Sequence, residues 1–544
     1  MNWKITSTTV PKTTEEVIAL ILEQRGVQDP DSFLHPPSPL DLTPKAVDIS
    51  DKPLAKAIKL LKKIGEAGGD ICIVGDYDAD GICATAIAWS VMHGLGYKVR
   101  PFIPSREKHG YGLNSKVLAD VLADGKPDLI ITVDNGIVAH APVAEAKALG
   151  IKVIVTDHHQ PEKSLPDADA IVHTTKLCGA TVSWMLMQAL APELVVAQLD
   201  LAGIATIADQ VPLVGANRQF AVHGVAALRT SGRVGLQALF QQMGSVQSEA
   251  DSHTVGYGIA PRINAMGRLA HGMDALRLLC TRNKQRASEL AQTLGNTNTS
   301  RQLLTEDLME HARKQAVAQV EQRILIVHST EFHEGVLGLV AGKLTEEFGK
   351  PTLAIKVGEI TSKGSARSIL GISVVELLRL VRSELLEVGG HPMAAGFGLE
   401  SGRMMAFVEK LQAVAMESIS LEQLEPKLAV VCVLPHALLT LEAATAIETL
   451  QPFGQGNPEP IFAINNLRLI HSKVIGKDGR HLKLQFGTDD PLHPSVEAVW
   501  WGGADGFEVG IGAEVSIATM LSVDRWKSNN CKLTLVIRDC KLSD

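Results

Sequence analysis

Residues 75–81 read GDYDADG, which places Asp76, Asp78 and Asp80 at alternate positions of one short segment. Carboxylates crowded at that spacing repel one another, and holding them together away from water requires a compensating cation. A solvated Asp-rich turn is the plain alternative. An EF-hand is excluded, because no Glu stands at the twelfth loop position counted from Asp76 or Asp78. Three further segments raise the weight of the metal reading: Asp134 in VDNG, Asp157, His158 and His159 in VTDHHQ, and Asp209 in TIADQVPL. Each follows an apolar run, and a carboxylate in such a setting is seldom left without a partner. Oxygen-rich ligation with one or two imidazoles suits Mn²⁺ or Mg²⁺ better than a structural zinc. Two such ions roughly 3.5 to 4 Å apart can activate water and stabilise both oxygens of a phosphoryl displacement. Phosphodiester hydrolysis is the chemistry this set of residues would perform.

The elements that must position these groups are legible around them. Between residues 70 and 172, short β-branched apolar runs (ICIVGD, LIITVDNG, IKVIVTDHH) alternate with amphipathic segments (VLADVLADG, APVAEAKALG). Near-continuous apolar strands separated by helices predict a parallel sheet covered on both faces, with polar residues gathered at the carboxyl ends of its strands. Residues 1–50 hold a short helical stretch and the Pro-rich LHPPSPLDL, expected to wrap the first domain. Residues 51–225 form that domain, and 226–320 a helical connector ending in a long polar-faced helix. A second α/β lobe follows over 321–424, starting at the strand RILIVHS. After QPFGQGNPEPIF the pattern turns to alternating strands, so 425–544 is expected to be a small OB-like β-barrel.

Composition narrows the class without naming the activity. The formal net charge of −8 does not announce a nucleic-acid binder, yet a carboxylate cluster lowers net charge while a groove beside it stays basic. The seven cysteines are an odd number and include no C-x-x-C pair, which argues against a disulfide framework and a thiolate zinc site. No apolar run reaches the ~18 to 20 residues of a spanning helix, and residues 1–24 lack a signal-peptide core, so a cytoplasmic protein is expected.

In this order and at these intervals, DYDADG, VDNG, TDHH and TIADQVPL resemble the four motifs of the DHH phosphoesterase superfamily. PSREKHGYGL, APRINAMGRL, FHEGVLGLVAGKL, KGSARS, GGHPMAAG and PFGQGNPEPIF narrow the likeness to RecJ-type exonucleases, over nearly the whole chain. The resemblance implies hydrolysis of single-stranded DNA from the 5′ end to 5′-mononucleotides, in recombination and repair. It implies two Mn²⁺ or Mg²⁺ ions on Asp78, Asp80, Asp134, His158 and Asp209, with Asp80 and Asp134 bridging, and Asp76 and His159 beside the metals or touching phosphate. It makes the second lobe a DHH-associated domain whose Gly389, Gly390 and His391 face the metals, and gives Arg106, Ser365, Arg367 and Ser368 to a 5′-phosphate pocket. Tyr111, Arg262, Asn264, Arg268 and Gln302 are then candidates for base, sugar or backbone contacts, and a single-strand-binding protein and a RecQ-type helicase are candidate partners.

The expected architecture is thus two α/β lobes joined by a long helix, forming a cleft too narrow for duplex and closed by the barrel. Of the barrel's Trp500 and Trp501, alternation points only one inward, while Arg480, Lys483, Arg525 and Lys527 are candidates for a cationic track. The sequence departs from the family pattern at GICATAI near Ile82, at His173 in Val172-His173-Thr174, and at Met266 in APRINAM; none of these removes a ligand. A phosphodiesterase for short or cyclic dinucleotides has no need of the barrel, and a non-catalytic scaffold has no reason to keep so many repelling carboxylates.

Overall fold

The computed structural model describes residues 1–492, 494–504, 507–525 and 531–543. The chain forms two compact units, one of Met1–Asn2, Arg268–Ala270 and Thr293–Lys427, the other of Trp3–Gly267, His271–Gln292 and Leu428–Asp544. The 34-residue helix Lys284–Val317 divides between them. No helix among the described residues is long and apolar enough to cross a membrane.

In the larger unit, five parallel strands lie in the order Val99–Phe102, Ile71–Val74, Leu129–Val133, Lys152–Asp157, Ala170–His173. The strands Ile71–Val74 and Leu129–Val133 are buried at every position, which is why their sequences are apolar without alternation. They are neighbours although a strand and two helices intervene in sequence, so the strand order reverses between them. The loops leaving a sheet at such a reversal diverge to opposite faces and leave a crevice at the carboxyl ends. The segments holding Asp76–Asp80 and Asp134 are those two loops.

The same unit contains a closed five-stranded barrel, Phe462–Ile475, His481–Gly487, Ser495–Trp500, Lys532–Leu542 and Glu514–Asp524, with one parallel pairing. The expectation for residues 1–50 requires correction. Helix Thr14–Gln24 does not pack on the first domain: Val17, Leu20, Ile21 and Leu22, with Phe33, complete the apolar core of the barrel side beside Leu434, Ile447 and Phe462. The stretch that follows does lie on the first domain: Leu40 O accepts from Gln188, Pro36 O lies 2.8 Å from His223 Nε2, and Asp48 Oδ2 is 2.8 Å from Lys176 Nζ. The physical reason is apolar burial: helices Thr14–Gln24 and Leu441–Glu448 lay their apolar faces into one core with barrel residues such as Phe462 and Ile464. Arg218 ties the barrel side to the first domain by donating to Phe33 O (2.7 Å), Leu450 O (3.0 Å) and Gln451 O (2.9 Å).

The smaller unit is a mixed sheet in the order Glu387–His391, Ala394–Glu400, Thr361–Arg367, Thr352–Lys356, Leu325–Ser329. Its strand alternation separates two cores. Ile326, Leu353 and Ile355 meet helices Val374–Leu380 and Met404–Ser418 on one face, while Leu325, Val327 and Ala354 meet Leu337–Phe348 and the end of the long helix on the other.

Candidate metal centre

The chain leaves strand Ile71–Val74 into Gly75 and Asp76, and enters helix Ala79–Gly94 at Asp78, whose carboxylate caps the helix by accepting from Gly81 N at 3.0 Å. Asp80, in the first turn and buried, accepts from the amides of Gly179 (2.6 Å) and Ala180 (2.8 Å). Those amides open helix Gly179–Leu190, so a helix N-terminus cradles this carboxylate. A side chain at position 179 is excluded: a Cβ there would lie 2.2 Å from Asp134 Oδ1.

Asp134 ends the next strand with φ +63°, a left-handed conformation that a non-glycine residue adopts only when its surroundings enforce it. Asn135 provides that enforcement. Its Nδ2 donates to Val74 O (3.1 Å) and Val133 O (2.9 Å), and its Oδ1 accepts from Leu113 N (3.1 Å). The kink turns the Asp134 carboxylate toward His158, whose Nε2 lies 3.1 Å from Asp134 Oδ1 and 3.8 Å from Asp80 Oδ2, with Nδ1 3.9 Å from Asp209 Oδ2. Asp209 reaches this position as the residue that caps the end of helix Leu199–Ala208.

His159 is held differently. Asp157, buried at the end of its strand, accepts from the amides of Ile137, His158 and His159 and lies 2.8 Å from His159 Nδ1. The Tyr111 hydroxyl lies 3.0 Å from the His159 ring and donates to Asp134 O at 3.2 Å. On the neighbouring strand, His173 Nε2 is 2.7 Å from the carbonyl oxygen of His159.

The electrostatics state what is missing from this arrangement. Asp134 Oδ1 and Asp76 Oδ1 are buried without a hydrogen-bond partner among the described residues. Asp134 Oδ1 is 3.1 Å from His158 Nε2 without forming a hydrogen bond to it. Burial, reinforced by neighbouring carboxylates, pushes Asp76, Asp78, Asp134 and Asp209 above the ordinary carboxylate range. Burial also lowers His158, favouring the neutral imidazole that binds metals. Burial opposes charge on His159 as well, yet its bond to Asp157 outweighs this and raises it, while Asp157, despite its own burial, is held low. Ligand atoms fall into three groups, each within 4.8 Å: Asp76, Asp78, Asp134; Asp80, His158, Asp209; and Asp134, His158, His159. Shared members and orphaned oxygens fit divalent cations.

The remaining sequence candidates are distributed as follows. The guanidinium of Arg106 lies over the Tyr77 ring at 5.5 Å, and Asn264 Oδ1 accepts from Ala79 N at 2.8 Å, steadying the helix that carries Asp80. Arg262 is turned inward, donating to Gln242 Oε1 and Gly258 O. In the smaller unit, Arg268 donates to Gly335 O, Gln302 is exposed, and Arg367 Nη1 donates to Ser365 Oγ at 3.2 Å. Ser368 is buried and donates to Ile372 O. Gly389, Gly390 and His391 lie exposed on an edge strand, where Gly390 has φ +135° and no room for a Cβ beside Ala394 O. In the barrel, Trp500 packs on Phe507 while Trp501 is 60% exposed, as alternation requires. The cationic track needs revision: Arg525 is engaged by Glu448, Lys483 by Glu497, and Arg480 lies 3.4 Å from Asp478. Lys527 lies outside the described residues. Sequence reasoning gave no role to Asn135 or His173 and named Asp157 only with its cluster; their signal is contact with the ligand residues, which no spacing rule reveals.

Comparison with known proteins accords with this geometry. Residues 70–208 match the DHH family, N-terminal domain, 316–417 the DHHA1 domain, and 432–539 the RecJ OB domain. The single-stranded-DNA-specific exonuclease RecJ of Bacillus subtilis (strain 168) is 34% identical over 562 residues, covering 99% of this chain and 70% of the relative. That of Escherichia coli (strain K12) is 33% identical over 516 residues, covering 87% and 88%. The crystal structure of RecJ in complex with Mn²⁺ from Thermus thermophilus superposes with TM-score 0.84 at 32% identity, covering all of this chain and 80% of that one. Identity at this level over such shares of both chains, with all three domains in order, makes the chain a member of the RecJ family of exonucleases.

Proposed function

We propose that this protein hydrolyses single-stranded DNA from its 5′ end, releasing 5′-mononucleotides, with two Mn²⁺ or Mg²⁺ ions held by Asp76, Asp78, Asp80, Asp134, His158 and Asp209. The observation that carries this reading is the convergence of six acidic or imidazole groups on one sheet edge, with buried carboxylate oxygens left unpaired. Bound there, divalent ions supply the Lewis acidity and neutralising charge that phosphodiester hydrolysis requires. Asp80 and Asp134 would be shared by the two ions; Asp134 already falls in two of the three ligand groups. His159, whose bond to Asp157 favours its protonated form, donates to an oxygen of the scissile phosphate, and the Tyr111 hydroxyl, 3.0 Å from the ring, helps to hold it. Ser365 and Arg367 take the terminal phosphate, with His391 and the backbone of Gly389 and Gly390 offering further donors. Arg106, exposed and lying over the Tyr77 ring beside the metal loop, offers a further phosphate contact. We place the protein in the cytoplasm, acting in recombination and repair beside a single-strand-binding protein and a RecQ-type helicase.

The test uses a 5′-labelled and a 3′-labelled single strand and a blunt duplex, each with Mn²⁺, Mg²⁺ or chelator. Mononucleotide release from the 5′ label, only on the single strand and only with metal, is expected. Asp134→Ala abolishes turnover while single-strand affinity stays within about tenfold, because phosphate attraction rather than the ions drives binding. Retained turnover in purified Asp134→Ala protein overturns the metal assignment, and release from the 3′ end overturns the polarity.

A further inference from the structure

Away from the metal centre, the larger unit carries a groove of about 600 Å³ between helices Thr14–Gln24 and Leu441–Glu448. Its floor is apolar: Ile18, Leu22, Val27, Leu34 and Ala446 line it. Its rim is acidic, formed by Glu15, Glu23 and Glu442, all exposed. Among the described residues lining it there is no lysine or arginine. The helix that makes one wall is 11 residues long, so the groove runs for roughly 16 Å, about three helical turns.

We propose that this groove is a docking site for a basic amphipathic helix of another protein. An apolar floor accepts side chains at i, i+3, i+4 and i+7 of a helix laid along it, and the carboxylate rim selects a helix flanked by lysine or arginine. The same rim repels phosphates, so the groove does not continue the DNA path. Nor does a second copy of this chain supply the ligand. Its own basic amphipathic helix, Asp51–Glu66, already buries Leu54, Ala57 and Leu61 within the fold and could dock elsewhere only by leaving it. The groove walls are the N-terminal helix and the barrel-side helix that share one core, so an occupant bridges two segments that the fold already holds rigid. Such a site tethers a partner without touching the residues of the metal centre.

The experiment measures fluorescence anisotropy of the full chain with a labelled synthetic helix of about 14 residues, leucines at i, i+3, i+4 and i+7 and lysines elsewhere. Two control peptides have the same composition in scrambled order, or glutamate in place of lysine. Preferential binding of the amphipathic basic peptide is expected. Glu15→Lys/Glu23→Lys/Glu442→Lys should weaken it about tenfold or more through lost charge complementarity. Ala19→Arg, at an exposed position of the groove wall, should weaken it as well and serves as the second probe should the triple variant fold poorly. Both variants keep the nuclease rate of the parent. Equal binding of the scrambled or acidic peptide, or undiminished binding by a folded Ala19→Arg variant, overturns the proposal. So does sedimentation showing self-association that Ala19→Arg abolishes, since the occupant is then a second copy.

Discussion

At the scale of single residues, the metal centre stores like-charge repulsion that its cations are there to relieve. Asp76, Asp78, Asp134 and Asp209 are raised by burial and by one another. In the pH window between ordinary carboxylate values, near 4, and these raised ones, the metal-free fold holds more protons than the unfolded chain. Its stability therefore falls as pH rises through that window. Chelated protein should thus gain more melting temperature from Mn²⁺ at pH 8 than at pH 5, and Asp134→Asn should reduce that increment; an increment independent of pH would contradict the repulsion. The terminal-phosphate assignment has its own test. A 5′-monoester carries up to two charges against one for an internal diester, so Arg367→Ala should lower kcat/KM on 5′-phosphorylated strands about ten- to a hundredfold and leave 5′-hydroxyl strands little changed. A uniform fall would place Arg367 on the general backbone path. The ligand residues were legible because acidic and imidazole side chains ending apolar runs have few innocent explanations. Neither the part played by Asp157 nor any part for Asn135 was legible, because their work is done on backbone amides and carbonyls that a sequence leaves unspecified.

At the scale of elements, the site depends on a strand pair and on one helix start. The parallel sheet could be anticipated from its unbroken apolar strands, and with it the edge on which the carboxylates gather. What the pattern did not contain is the use of helix Gly179–Leu190 as a cradle for Asp80, since a Gly beginning an apolar helix reads as ordinary. Gly179→Ala should abolish turnover by driving Asp134 off its position, while circular dichroism stays close to that of the parent; normal activity would show that the loop yields easily. His173 braces the neighbouring strand end through the carbonyl of His159. Its replacement by Ala removes one hydrogen bond, so kcat should fall roughly three- to tenfold with KM held, and His173→Asn should recover part of the loss. A change in KM alone would assign the contact to substrate binding.

At the scale of the whole molecule, the terminal barrel and the first α/β domain belong to one unit, and a buried arginine helps to join them. Arg218 is 2% exposed, serves three carbonyls and lies 3.9 Å over the Phe33 ring; burial, then the charge of Arg25, lowers it to about 10, so it stays charged at neutral pH. Arg218→Met strands those carbonyls and should cost about 3 to 5 kcal/mol, read by urea unfolding of the larger unit; a loss below about 1 kcal/mol would mean that water replaces the side chain. Removing the chain after residue 427 should accordingly destabilise the catalytic domain as well as weaken long-strand binding, rather than leave a clean short-substrate enzyme. The barrel itself was readable from alternation, but its recruitment of the N-terminal helix was not, because nothing in an amphipathic pattern says which of several apolar surfaces it will meet. That recruitment has a consequence for synthesis. Val17, Leu20 and Ile21 find most of their core among residues from Cys432 onward, about 400 residues later in the chain. At roughly 5 to 20 residues per second, the helix emerges from the ribosome some 20 to 80 s before its partners exist. Throughout that interval a nascent chain presents an apolar stripe to the cell, making the first helix a natural substrate for holding chaperones during translation.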